Sequence, residues 1–174
     1  MIAWLIELLA GFSLAVLLRL FVVNVARIQG TSMLPTLRNR EYTLVWRLPY
    51  RFGAPKRQDV VICHYPGRRM KHCKYLPQAF VKRVIGLPGD TLEIIEGVVY
   101  LNGEPLDEGY LDPAHCRLQR TRLPRTLGPD EYFVMGDNRD CSNDSRSIGP
   151  ICRRAIRGRV VCVFWPIRRM RLVR

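Results

Sequence analysis

The stretch from Ala3 to Val23, AWLIELLAGFSLAVLLRLFVV, constrains this chain more than any other part. As a helix it spans roughly 30 Å, the thickness of a hydrocarbon core. Its two charges, Glu7 and Arg19, lie toward its ends, where long side chains reach the interface. Leu8 to Leu18 carries no charge, and Trp4 suits the headgroup level. A buried core helix would show a polar stripe, whereas this run is apolar nearly all round. A cleavable leader would open with basic residues and close on a small-x-small site. No Lys or Arg precedes the run, and Asn24-Val25-Ala26 is a poor cleavage site. The expectation is an uncleaved transmembrane anchor over residues 1–24 and one domain over residues 25–174.

The formal net charge of +13 calls for an anionic partner: nucleic acid, an anionic membrane face or an acidic protein. With an anchor at hand, a phospholipid membrane is the expected partner and nucleic acid is not. The basic residues lie almost entirely after the anchor, which by the positive-inside rule would keep the domain in the cytoplasm. That rule weakens for long domains, so charge alone leaves the orientation open. The six cysteines form no C-x-x-C pair, which argues against a zinc ribbon. An even count in an exported domain permits disulfides without fixing their pairing. No metal or other cofactor is expected.

Beyond the anchor, short apolar runs alternate with Gly, Pro and Asn. Tyr42–Trp46, Val60–Cys63, Phe80–Gly86, Leu92–Ile95, Val98–Leu101, Glu131–Met135 and Val160–Trp165 have strand length and β-favouring residues. Glu96-Gly97 predicts a hairpin, and Asn102-Gly103 begins the next turn. Helical periodicity is absent after the anchor, so the domain is expected to be mainly β. Residues 106–129, rich in Arg and Pro, read as a basic surface excursion.

Three blocks carry chemistry. Gln29 to Leu37, QGTSMLPTL, sets Ser32 among small residues on a bend that Pro35 stiffens. Alone, such a serine is more often a turn former or helix N-cap. A nucleophilic serine needs a base. The three histidines, His64, His72 and His115, have no neighbouring acid pattern suggesting a triad. Lys82 interrupts an otherwise apolar run, and in a strand it shares a side with Phe80 and Val84. A lysine desolvated on an apolar face loses basicity and frees its lone pair. An isolated strand lysine is otherwise an edge device against aggregation. The third block, Gly136 to Gly149, GDNRDCSNDSRSIG, packs acids, arginines and hydroxyls into one loop. It reads as a self-bonded turn that could support a catalytic lysine.

In this order after an anchor, the three blocks resemble bacterial type I signal peptidases with a single anchor, as in the Gram-positive type. The resemblance is specific in the Ser32 block, in Lys82 to Asp90, KRVIGLPGD, and in the Gly136 loop, and Asp59-Val60-Val61 adds a weaker match. The resemblance implies a signal-peptidase-like β-rich domain whose serine endopeptidase activity removes signal peptides from exported precursor proteins. It implies that Ser32 attacks the peptide carbonyl and Lys82 takes its proton. It implies that Ser142 orients the lysine, that Asp144 and Arg146 form a supporting ion pair, and that Asp137 belongs to the same shell. Met33 would line the site. The domain would lie on the extracytoplasmic side of the cell membrane, with the strand face near the site touching the bilayer. Two positions depart from the pattern. Gly30 stands where some members carry a serine that helps hold the oxyanion, and Cys141 stands where asparagine is common. Self-cleaving SOS-response repressors share the dyad but lack an anchor. An anchored basic binding protein would have no need of the three blocks together.

Overall fold

The computed structural model describes residues 4, 6–13, 22–70, 73–116 and 122–173 of the chain, with side chains omitted for 66–77 and 122. Of the anchor window, residues 6–13 are helical, while 14–21 lie outside the described residues. No helix among the described residues is long and apolar enough to cross a membrane.

Twelve strands dominate the rest of the described architecture: β1 (Val23–Arg27), β2 (Tyr42–Trp46), β3 (Val60–Met70), β4 (Cys73–Gly86), β5 (Thr91–Ile95), β6 (Val98–Leu101), β7 (Glu104–Pro105), β8 (Arg122–Thr126), β9 (Glu131–Met135), β10 (Ile151–Cys152), β11 (Ile156–Trp165) and β12 (Arg171–Leu172), with single-turn helices at Pro49–Phe52 and Ser145–Ile148 and short 3-10 turns at Pro113–His115, Arg153–Ala155 and Ile167–Arg169. One antiparallel sheet runs β1-β2-β11-β3-β4-β9-β10, with β12 added to β11. A second runs β7-β6-β5-β8. β1 begins at Val23, so the sheet takes up the end of the anchor window. The β5–β6 turn falls at Glu96 and Gly97, both at positive φ (48° and 86°), as a tight hairpin requires. Asn102 and Gly103 repeat this between β6 and β7, at φ 54° and 87°.

The stretch read as a surface excursion is partly structural. β8 returns to pair with β5, and Leu106 and Tyr110 pack on the core of the second sheet. Leu106, Tyr110 and Leu127, on either side of the arginines, supply its buried contacts, whereas Leu123 between Arg122 and Arg125 is exposed.

β4 positions the site. Its alternate residues face opposite ways. Val84 enters a cluster with Val61, Cys63, Tyr65 and Val134, and Ile85 enters one with Leu92, Phe133 and Met135. A third cluster, with Ile28, Met33, Leu37, Val45, Val160 and Val163, underlies the segment that carries Ser32.

Candidate active site

Residues 28–41 form a loop whose ends meet: Ile28 N–H donates to Glu41 C=O (2.8 Å) and Arg40 N–H to Ile28 C=O (2.9 Å). Buried Met33 and Leu37 root the loop in the core and leave Ser32 at its outer bend. Met33 thus faces inward, 2% exposed. Gly30 adopts φ +96°, where a Cβ would be strained, and its N–H donates to Asn39 Oδ1 at 3.2 Å.

Lys82 enters from the middle of β4. The register sets Lys82 opposite Val61 and Phe80 opposite Cys63, and directly opposed residues share a face. The lysine therefore lies among Phe80, Val84, Val61 and Cys63, as its spacing predicts, and is 2% exposed. Lys82 Nζ donates to Ser32 Oγ at 2.8 Å, and no carboxylate bonds it among the described residues. Burial pulls its pKa below the ordinary lysine range, against the opposing fields of Asp144 and Asp137. Burial also pushes the Cys63 thiol up to about 12, so it stays neutral beside the lysine.

The loop after β9 closes against the serine. Asn138 N–H donates to the Ser32 carbonyl (3.1 Å), and the Asn138 amide donates to the Thr31 carbonyl (3.2 Å). Contact is so close at Gly136 that a Cβ there would sit 2.3 Å from Ser142 Oγ and 2.4 Å from the Ser32 carbonyl oxygen. Asp144 accepts from Gly136 N–H (3.0 Å) and takes two bonds from the Arg146 guanidinium, each 2.9 Å. Burial alone would raise the Asp144 carboxyl, but the Arg146 bonds win and hold it below the usual range. Among the described residues Ser142 Oγ is buried without a hydrogen-bond partner, although it lies near enough to Asp144 to help keep that carboxyl acidic. No bond joins Ser142 to Lys82 among the described residues. Asp137 pairs instead with Arg83, through Nε (2.9 Å) and a terminal nitrogen (2.8 Å), and accepts from Thr36.

This constellation is a hydroxyl bonded to a buried amine of lowered basicity, on a loop stapled to a rigid acid–arginine turn. It suits nucleophilic attack by a serine on a carbonyl. The family's sequence pattern, described as signal peptidase, peptidase S26, matches residues 1–165, taking in all three blocks. The chain belongs to the signal peptidase family. A signal peptidase I of Leptolyngbya laminosa is 38% identical over 90% of this chain and 76% of its own length. A probable signal peptidase I-1 of Synechocystis is 40% identical over 93% of this chain and 81% of its own. A signal peptidase I of Bacillus licheniformis is 34% identical over 97% and 90%.

Beyond the residues legible in the sequence, the structure recruits several more around this signal peptidase site. Asn138 and Arg139 belong to the Gly136 block and could have been singled out with it. Thr36 sits in the serine block. Glu108 and Tyr110 had no signal. Tyr110 lays its ring against the Arg83 guanidinium, 3.8 Å from carbon to ring centre, and donates to Glu108 (2.6 Å). Glu108 forms a buried ion pair with Arg139, which in turn donates to the Gly136 carbonyl (3.2 Å).

Proposed function

We propose that this chain cuts signal peptides from exported precursors with Ser32 as nucleophile and Lys82 as general base. The observation that carries this is the 2.8 Å bond between Ser32 Oγ and a lysine buried without a carboxylate partner. Neutral Lys82 accepts the Ser32 proton as Oγ bonds to the scissile carbonyl carbon. The protonated lysine then gives that proton to the departing amine. A water attacks the acyl-enzyme as Lys82 takes its proton, the bond to Ser32 Oγ breaks to free the acid product, and Lys82 returns the proton to Oγ. The Ser32 N–H is the backbone donor for the oxyanion, because the turn's own bonds run from Leu34 to Thr31 and from Leu37 to Met33 and leave it aside. The Gly30 N–H is already spent on Asn39. Asp144–Arg146 and Asp137–Arg83 hold the loop, and Ser142, beside Gly136, orients the lysine in the reacting state.

The same reading places one anchor in residues 1–24 and the domain on the extracytoplasmic side, with the outer face of the large sheet against the bilayer. Val25, Leu44, Cys162 and Leu172 oppose one another across β1, β2, β11 and β12 and so share one face. Trp46 and Trp165, 39% and 51% exposed, are available to an interface as amphipathic indoles. Substrates emerging from the membrane would meet Ser32 close to the headgroups.

Incubating the detergent-solubilised protein with a secretory precursor should release a mature product cut at one site. Ser32→Ala should not release it; equal cleavage by that variant would sink the assignment. Added protease should digest the domain on intact spheroplasts, and protection until lysis would reverse the orientation.

A further inference from the structure

β12 lies past residue 165, where the family match ends, and one of its side chains reaches the serine loop. The strand itself is fixed. Arg171 and Leu172 pair with Val163 and Cys162, Val173 N–H donates to Val161 C=O (2.9 Å), and the Val173 side chain packs on the cluster containing Met33 and Leu37. From this base the Arg171 guanidinium spans the loop. One terminal nitrogen donates to the Thr36 carbonyl (2.6 Å) and to Glu41 Oε2 (2.8 Å). The other donates to Glu41 Oε1 (3.0 Å) and the Arg169 carbonyl (2.9 Å). Glu41 is fully buried, also accepts from Arg38 N–H (2.8 Å), and its carbonyl closes the loop ends with Ile28. Burial would raise the Glu41 carboxyl, but the bonds from Arg171 and Arg38 keep it below the usual range.

We propose that Arg171 is a positioning residue for catalysis, stapling the descending limb of the nucleophile loop at Thr36 to its neck at Glu41 and so holding Ser32 at bonding distance from Lys82. Thr36 is the pivot: its carbonyl takes Arg171 while its hydroxyl takes part in the Asp137–Arg83 network. The loop is thus held from both sides, by the strand bearing the lysine and by β12. Arginine suits this place because its planar fork serves a carboxylate and two carbonyls at once, of which a lysine could keep only part.

This inference rests on the Ser32–Lys82 assignment, and the experiment separates the two. Precursor cleavage is measured for wild type, Ser32→Ala, Arg171→Ala, Arg171→Lys and the exposed control Arg168→Ala, with rates referred to the folded fraction from circular dichroism. Arg171→Ala is expected to lose about tenfold or more in kcat with KM within about twofold, because misplacing a reacting group lowers turnover without weakening substrate binding. Arg171→Lys should recover part of this loss, and Arg168→Ala should match wild type. Glu41→Gln keeps the loop's shape while weakening the ion pair, and should give a smaller kcat loss that is not additive with Arg171→Ala. An unchanged kcat per folded molecule in Arg171→Ala, or a rise in KM alone, would overturn the staple. Activity retained in Ser32→Ala would instead overturn the assignment beneath it.

Discussion

Lys82 and Arg83 are neighbours on β4, both buried, and point to opposite faces. On one face Lys82 meets Phe80, Val84, Val61 and Cys63, and its amine bonds a neutral hydroxyl. On the other, Arg83 takes both oxygens of Asp137, the carbonyl of Gln58 and the ring of Tyr110. A buried charge without a partner is costly, and the two side chains resolve this differently. Lysine can lose its proton, so an apolar face makes it a base. Arginine cannot, so its face must supply an acid, and the pair becomes structure. Burial alone therefore says nothing about function; the partner decides.

Exchanging the chemistry of one face should break this comparison most severely. Lys82→Arg keeps a long basic side chain but stays protonated at any usable pH. We expect a fall in kcat on the order of 10³-fold or more, measured on precursor cleavage by folded protein. Lys82→Ala and Ser32→Ala should each lose a comparable factor, and the double variant little more, because the pair acts as a unit. Near-normal turnover in folded Lys82→Arg would remove the distinction between the faces and return attention to a histidine such as His64.

On the opposite face the damage should be to stability. Arg83→Ala leaves Asp137 buried and uncompensated, which costs about 3–5 kcal/mol in comparable broken pairs. Denaturant unfolding should show this as a lower midpoint. Replacing both partners, as Arg83→Met with Asp137→Leu, should recover much of it, since an apolar pair can substitute for a buried ion pair. If Arg83→Ala were as stable as wild type, the network through Thr36 and Tyr110 would not be holding the loop.

The sequence made the first face legible and hid much of the second. Phe80, Lys82 and Val84 alternate along one strand, and strand periodicity is a local property that a reader can count. The strands around Tyr42, Val60, Leu92, Val98 and Glu131 were legible for the same reason. Tyr110 and Glu108 were not, because they act through contacts with Arg83 and Arg139 distant in the chain. Among Arg168, Arg169 and Arg171, only the fold distinguishes Arg171, which clasps Glu41, from the exposed Arg168. Charge-rich segments look alike in sequence whether they face water or a buried acid. Met33, read as a site lining from its place beside the nucleophile, has a second task that the sequence did not show: it is the apolar root of the loop.

Proton linkage offers a third test, on the face that carries the lysine. The Lys82 pKa is lowered in the fold from a free value near 10.4. Between the folded pKa and that free value, the unfolded chain binds the extra proton, so stability should rise with pH across this window. Lys82→Met should lack that rise while keeping every other titration. Cleavage by wild type should climb with pH through the same folded pKa, since only the neutral amine serves as base. A stability difference between wild type and Lys82→Met that stayed flat up to about pH 10 would mean the lysine keeps an ordinary pKa.

The smallest expected effect tests how the apolar face does its work. Phe80 packs edge-on against Tyr65, with ring centres 5.2 Å apart, on the side of β4 that carries Lys82. Phe80→Ala would open space for water near the amine, weaken its desolvation and move the rising limb of the pH profile toward the free lysine value. The cost should concentrate at neutral pH, as a fall of less than about tenfold, and should shrink as the pH is raised until the amine is deprotonated again. Lost packing alone would lower activity by the same factor at every pH once the folded fraction is accounted for. Phe80→Leu, which keeps the face dry, should leave the limb where it is. Should Phe80→Ala and Phe80→Leu give superimposable profiles, desolvation by this residue would not be what makes Lys82 a base, and Val61, Cys63 and Val84 beneath it would have to carry the effect.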